Sequence, residues 1–352
     1  MTEYLSHKIR ILSALSILMV LYIHMYYSEM GGASLQTVEG IVGGGLCSVA
    51  VPLFYLISGY LFFLKVPNGL TSVAQKMKKR CRTLLVPYLL ANGLTFLFYA
   101  LLNVITWKVP AIDRVVNFKV LDGLSGQGLW PTLRLVFIDP PIAFQLWFVR
   151  DLMVIILVAP ILYLLMKRIV VKAIYGWLAM ALLFAAFVCF HHVRFVPAAF
   201  WFVSGGLLAM SGTGIEHRRP PLAVALICIA LYLLMSVGCG TGVIPDALKR
   251  FIPFVGIPAL WFLYDHVVRR SRKILAHRSV VFFSSYTFFV YLCHEPLLNI
   301  FKKVPLLLSR SEAVMMTSYL CVPMLFYLFA CLLGHLLKKA APRGYAIYTG
   351  GR

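Results

Sequence analysis

Residues Ile11–Tyr27 read ILSALSILMVLYIHMYY, an apolar run of the kind that recurs along the whole chain. The run is longer than the apolar core of an ordinary signal peptide and no small-residue cleavage site follows it, so we predict a retained first helix. Of the 352 residues, 61% are apolar and only 13% are charged, whereas a water-soluble protein needs far more polar surface. Because a spanning helix takes roughly 20 apolar residues, we predict an all-α polytopic membrane protein with about ten transmembrane helices.

The apolar runs leave no room for a sizeable soluble domain, so residues 1–352 are predicted to form a single membrane-embedded domain. Small residues at Ser58-Gly59 and Ser204-Gly205-Gly206 predict close approach between helices. The predicted spans cover residues 11–27, 46–65, 84–107, 145–167, 173–190, 197–211, 221–239, 251–268, 280–300 and 314–337.

Charged residues are distributed unevenly over the connections. Placing the N-terminus in the cytoplasm puts about two thirds of the 33 Lys and Arg residues inside, but only Glu3 and Glu216 of the 12 acidic residues. This asymmetry predicts that both termini are cytoplasmic. It also explains the net charge of +21 as a surface that faces anionic lipid, so we predict membrane lipid and no nucleic acid as partners. The eight cysteines are scattered, and no metal site is expected.

Five ionisable side chains lie at a similar depth, in the outer third of the predicted spans: His24, Arg150, Asp151, His294 and Glu295. Such groups are costly in lipid and usually mark function. An imidazole can act as a general base, a carboxylate can orient and charge-balance it, and an arginine can bind an anion. The structural alternative is that Arg150 pairs with Asp151 or Glu295, and that the histidines are hydrogen-bonded interface residues.

Basic residues at the predicted inner ends could hold the phosphates of a nucleotide-bearing donor. Arg10 lies fourteen residues before His24, on the same helix face and about 21 Å away. The stretch Gln75–Arg82, expected as a cytoplasmic loop, supplies Lys79, Arg80 and Arg82. Anchoring at the membrane surface is the alternative. Asp265 ends a predicted span at the inner boundary, where water is within reach, so we assign it no role.

The connection 108–144 is the longest predicted outer segment. Connections of this length are often functional, so it could cap a site on the outer face. The alternative is an ordered but inert external connection.

Six sequence motifs, spread over most of the chain, occur in the order that is typical of one protein family. The chain resembles the bacterial acyltransferase-3 family, whose members O-acylate cell-surface polysaccharides and related acceptors. The motifs are Ile17–His24, Val51–Tyr60, Arg80–Tyr88, Leu146–Arg150, Val290–Pro296 and Tyr348–Arg352.

The resemblance implies transfer of an acyl group, usually acetyl, from cytoplasmic acyl-CoA to the hydroxyl of a glycan or other acceptor reached from outside. It implies a multi-pass protein of the bacterial inner membrane. His24 corresponds to the essential histidine, Arg150 to the arginine of the Trp-Phe-x-Arg stretch, and Lys79 and Arg82 to the basic pair. One departure is Ser13, which stands where the family has an arginine; Arg10, one turn earlier, can compensate.

The leading hypothesis makes His24 the general base, or a transient acyl carrier, oriented by Glu295 or Asp151. Arg150 would position an anionic group, with His294 beside Glu295 in the same cluster, and acetyl-CoA would be held by Arg10, Lys79, Arg80 and Arg82. A membrane transporter or flippase of a small polar solute or lipid-linked glycan is the alternative, because kinked helices and intramembrane charges also suit transport. A non-catalytic scaffold or sensor is a third reading.

Overall fold

The computed structural model describes residues 2–27, 30–66, 68–108, 128–138, 141–170, 173–193, 195–212, 220–268 and 278–351. Over these residues the chain is helical and contains no β-strand, which confirms the predicted fold class. Much of the connection 108–144, together with Glu216 and the inner basic segment 269–277, lies outside the described residues. The chain divides into two compact units. The prediction of one domain over residues 1–352 stays a prediction.

The first unit contains Met1–Arg80 and Val154–Thr287. Its first helix is capped by Thr2, whose side chain accepts a hydrogen bond from the Leu5 N–H at 3.3 Å. A π-helix, Gly40–Gly45, and a 3-10 turn, Leu46–Val49, follow the second helix. The helices that begin in this unit are α1 (Glu3–His24), α2 (Ala33–Glu39), α3 (Ala50–Phe63), α4 (Leu70–Lys108), α7 (Ala159–Val170), α8 (Ala173–Phe190), α9 (Phe195–Met210), α10 (Leu222–Gly240), α11 (Asp246–Lys249), α12 (Ile252–Leu263) and α13 (Arg278–Ser285).

The second unit contains Cys81–Met153 and Phe288–Arg352. It includes most of α4 and an apolar cavity of about 550 Å³ that lies against α4 and the last three helices. The remaining helices are α5 (Leu129–Phe137), α6 (Trp147–Leu157), α14 (Thr287–Lys303), α15 (Glu312–Ala340) and α16 (Pro342–Tyr348).

Six helical segments of the described residues are long and apolar enough to cross a membrane, and a seventh span results if α6 and α7 are one helix bent by 63°. Two predicted spans correspond to the shorter apolar helices Leu178–Phe190 and Phe195–Met210. The chain is therefore a multi-pass membrane protein. The count of ten and the cytoplasmic placement of both termini stay predictions.

Helices α3 and α9 pack backbone to backbone, as the small residues predicted. A Cβ atom added to Gly59 would collide with the Phe202 carbonyl, and one added to Gly205 would collide with the Leu56 carbonyl. Only glycine permits this separation, so the predicted close approach is confirmed.

The N-terminal end of α1 carries a buried ion pair. The Lys8 ammonium lies 2.7 Å from the Asp265 carboxylate, and the Tyr4 hydroxyl also donates to Asp265. The same ammonium lies 3.8 Å from the centre of the Trp261 ring. Asp265 is 7% exposed, so the expectation that water reaches it is wrong. Hydropathy along the chain could not reveal a partner 257 residues away.

Candidate functional site

His24 is the last residue of α1, and its side chain is half-buried. The C-terminal end of a helix carries a partial negative charge, so the imidazole lies at the negative end of the α1 dipole. Arg10 lies on the same unbroken helix, exposed, so the predicted spacing of about 21 Å between the two residues holds along α1.

The basic stretch before the third span is helical, and the expectation of a loop is wrong. Helix α4 begins at Leu70, so Lys79, Arg80 and Arg82 project from a helix; Lys79 and Arg82 are exposed and Arg80 is half-buried. Long cationic side chains can keep such a segment helical while their charged ends reach water or a bound anion. A fourth cation, Lys76, donates to the carbonyl oxygens of Phe62 and Leu64 and so satisfies the end of α3.

Arg150 and Asp151 form the polar start of α6 in the second unit. The Arg150 Nε atom donates to Asp151 Oδ1 at 3.3 Å, and Nη1 donates to the Ile138 carbonyl at 2.5 Å. The predicted alternative of an Arg150–Asp151 pair is thus observed. The remaining nitrogen, Nη2, is buried and has no hydrogen-bond partner among the described residues. Arg150 therefore keeps the two N–H groups of Nη2 for an added acceptor.

Glu295 breaks helix α14. Its backbone is extended, with φ of −109° and ψ of 135°, because the residue before a proline avoids helical geometry. Pro296 has no N–H group, so the Leu292 carbonyl four residues earlier loses its usual donor. The buried Gln145 amide replaces it, donating to Leu292 O at 3.4 Å and to Glu295 O at 3.0 Å.

His294 is fully buried beside this break. Its Nδ1 atom lies 2.8 Å from the Tyr291 carbonyl, which can only accept, so Nδ1 carries a proton. The Tyr291 hydroxyl donates to the Gln145 carbonyl at 2.9 Å. The structure thus joins the predicted segments around Arg150 and Glu295 through Gln145. Among the described residues, no group of three or more His, Cys, Asp and Glu side chains could hold a metal ion.

The described end of the long connection 108–144 contacts this cluster. The last carbonyls of α5 accept hydrogen bonds from the Arg150 guanidinium and, at 2.6 Å, from the Tyr88 hydroxyl. The Asn92 amide oxygen accepts from the Ala143 N–H at 3.1 Å. Phe137 and Ala143 are thus held by α4, and Ile138 by Arg150 of α6.

Two polar residues that the sequence analysis did not select belong to these arrangements. Gln145 directly precedes the Leu146–Arg150 motif, and its Oε1 atom is buried with no partner among the described residues. Glu39 is a buried carboxylate in the first unit. The predicted span 46–65 left it in a connection, whereas the structure includes it in the apolar helical segment Ala33–Phe63. An acidic side chain directly before an apolar, glycine-rich run was the available signal.

Over the described residues, the helical chain thus carries a histidine at the end of a long apolar helix, a guanidinium whose Nη2 has no partner, and a row of basic residues. Such cationic groups suit the binding of anions. A family profile described as an acyltransferase domain, Acyl_transf_3, matches residues 7–338. The chain therefore belongs to this acyltransferase family, which confirms the resemblance and the general class of membrane acyltransferase.

A curated relative covers the full chain. The succinoglycan biosynthesis protein ExoH of Rhizobium meliloti (strain 1021) is 24% identical over 369 residues, an alignment that includes 100% of this chain and 94% of ExoH. No solved structure matches this chain.

Proposed function

We propose that this protein moves an acetyl group from cytoplasmic acetyl-CoA to a hydroxyl of a cell-surface or exported glycan, within a bacterial cytoplasmic membrane. Membership of the acyltransferase family supports the transfer, and the similarity to a succinoglycan biosynthesis protein supports a glycan acceptor. The observation that carries the proposal is α1, an unbroken helix that ends at His24 and bears Arg10 about four turns earlier.

His24 acts as the general base in this proposal. The acceptor hydroxyl oxygen bonds to the acyl carbonyl carbon while its proton passes to His24. The carbon–sulfur bond breaks, and the CoA sulfur leaves as a thiolate that takes up a proton. In the alternative, the imidazole nitrogen bonds to the carbonyl carbon first and displaces the CoA thiolate. The acceptor hydroxyl oxygen then displaces the imidazole nitrogen, which takes up the hydroxyl proton.

In the second unit, Arg150, Asp151 and Gln145 are proposed to position the charged groups that take part in the reaction. Arg150 has a buried Nη2 nitrogen with no hydrogen-bond partner among the described residues, which suits the binding of an anionic or oxyanionic group. Asp151 holds the guanidinium in place through the Nε contact. Gln145 maintains the broken helix that carries His294 and Glu295, where the acceptor is proposed to bind.

Donor binding is proposed for Arg10, Lys79, Arg80 and Arg82. The CoA moiety carries several phosphate charges, and exposed guanidinium and ammonium groups bind phosphate through charge-assisted hydrogen bonds. The exposure of Arg10, Lys79 and Arg82 leaves these groups accessible to such a ligand.

Acetyl-CoA binding to the purified protein tests the donor. A ligand that binds only the folded state stabilises it by about 2.7 kcal/mol at 100 times its dissociation constant. We expect saturable stabilisation of the wild type and of K339A, a control that removes an exposed basic residue of α15. R82A should weaken binding, whereas H24A should retain binding but no longer release CoA when acceptor is added.

Each outcome separates the candidate functions. Loss of CoA release in H24A with binding intact supports acyl transfer. Folded wild-type protein that binds no acyl-CoA overturns the proposal and favours the transporter, for which solute uptake is the next assay. Wild-type CoA release by H24A removes His24 from the reaction.

A further inference from the structure

A buried carboxylate lies at each end of α1. At the N-terminal end, Asp265 is paired with Lys8. Beyond the C-terminal end, Glu39 is 8% exposed, and its Oε1 atom accepts a hydrogen bond from the Tyr27 N–H at 2.5 Å. Tyr27 follows His24 by three residues and is itself 1% exposed. The second carboxylate oxygen, Oε2, is buried as well.

The position of Glu39 is fixed by the backbone that follows it. Glu39 ends α2, and the next six residues form the π-helix Gly40–Gly45. A Cβ atom at Gly40 would collide with Gly240, and one at Gly45 would collide with Ser236, so this segment packs directly against α10. π-helical insertions are rare and frequently occur at functional sites. The carboxylate therefore projects from a backbone that has little freedom to move.

The contact between Glu39 and Tyr27 acts on the residues directly after His24. Charge-assisted hydrogen bonds from a backbone N–H to a carboxylate are short and roughly twice as strong as neutral ones. This bond holds residues 25–27 and so defines how α1 ends at His24. The bond also places the Glu39 carboxylate at Tyr27, three residues after His24, which itself lies at the negative end of a helix.

We infer that Glu39 is a positioning residue for His24: it fixes the end of α1 and stabilises the imidazolium that forms when His24 takes the acceptor proton. The inference rests on the proposed function. It assigns to Glu39 the orienting role that the sequence analysis gave to Asp151 or Glu295, which belong to the other unit. Asp151 there contacts Arg150.

A purely structural role makes a different prediction. An amide oxygen can still accept the Tyr27 N–H, so E39Q preserves the cap and removes only the charge. If Glu39 acts through His24, kcat for acetyl transfer should fall about 10²-fold in E39Q, the lower end of the roughly 10²–10⁴-fold that general acid–base catalysis contributes. KM for acetyl-CoA and the thermal midpoint should stay close to the wild-type values.

The experiment uses the full-length protein in lipid nanodiscs with acetyl-CoA and a glycan acceptor. Q36E/E39Q is the matched charge control, because it restores a carboxylate at the exposed Gln36, one turn away on α2; it should not recover kcat. E39D, which keeps the charge on a shorter side chain, should recover part of it. H24A/E39Q should have the same residual rate as H24A, because removing the imidazole removes the group through which Glu39 acts.

A wild-type kcat in E39Q overturns the inference. The inference is also overturned if E39Q lowers the rate by the same factor in the wild type and in the H24A background. Should E39Q fail to fold, E39D carries the test, and its rate loss must then disappear in the H24A background. An active H24A would contradict the proposed function itself, whereas an inactive H24A beside a fully active E39Q contradicts only the role of Glu39.

Discussion

Replacing Asp265 by alanine is expected to destabilise the protein far more than removal of an exposed carboxylate. The Lys8 and Asp265 side chains are 1% and 5% exposed, so the substitution leaves a buried ammonium without its counter-charge. Losing one partner of a buried pair costs about 3–5 kcal/mol, against about 0–1 kcal/mol for an exposed pair. The nearby Trp261 ring offsets only part of the loss, since a desolvated cation–π contact contributes about 2 kcal/mol.

The chain provides its own control for this prediction. Asp246 and Lys249 are also 2.7 Å apart, but their side chains are 94% and 36% exposed. Unfolding in detergent, followed by tryptophan fluorescence, should give D246A nearly the same free energy of unfolding as the wild type. D265A should lose about 3–5 kcal/mol, and K8M/D265L should recover most of that loss because no charge is then buried alone.

Equal effects of D265A and D246A on the free energy of unfolding would refute this reasoning. So would a K8M/D265L double variant as unstable as D265A, because the cost would then arise from packing and not from the unpaired charge.

Three further substitutions test the remaining contacts. Q145L removes the donor to two carbonyls of the broken helix and should lower the free energy of unfolding by about 1–3 kcal/mol in the same assay. R150K keeps the positive charge but loses the planar guanidinium group with its several N–H donors. The kcat for acetyl transfer should therefore fall about 10²-fold, with little change in acetyl-CoA binding. G59V places a side chain against the facing backbone, and size-exclusion chromatography should show no monodisperse folded protein.

The fold class could be predicted from the sequence because the mean hydropathy of a segment indicates whether it faces lipid and other helices or water. Runs such as Ile11–Tyr27 predicted membrane helices, and Gly59 and Gly205 predicted close packing, as observed. The same averaging misplaced the helix starts. It assigned Gln75–Arg82 to a loop although the helix begins at Leu70, since cationic side chains lower hydropathy without preventing helix formation.

The site was harder to predict because its contacts join distant parts of the chain. Asp265 looked accessible to water until its partner Lys8 was known, and Gln145 acquires a role only beside the carbonyls that Pro296 leaves without donors. The roles of His24, Arg150, Asp151, His294 and Glu295 stay predictions. Glu39 was missed because its significance depends on the Tyr27 N–H rather than on any motif.

Acetyl transfer across a sealed membrane is the most direct test of the central claim. Proteoliposomes would hold a glycan acceptor inside, with radiolabelled acetyl-CoA supplied only outside, and the label on the enclosed glycan would be measured over time. The wild type should label the glycan and H24A, equally well folded, should not. Labelling by H24A at the wild-type rate, or none by the folded wild type with any acyl-CoA and acceptor pair, would contradict the account.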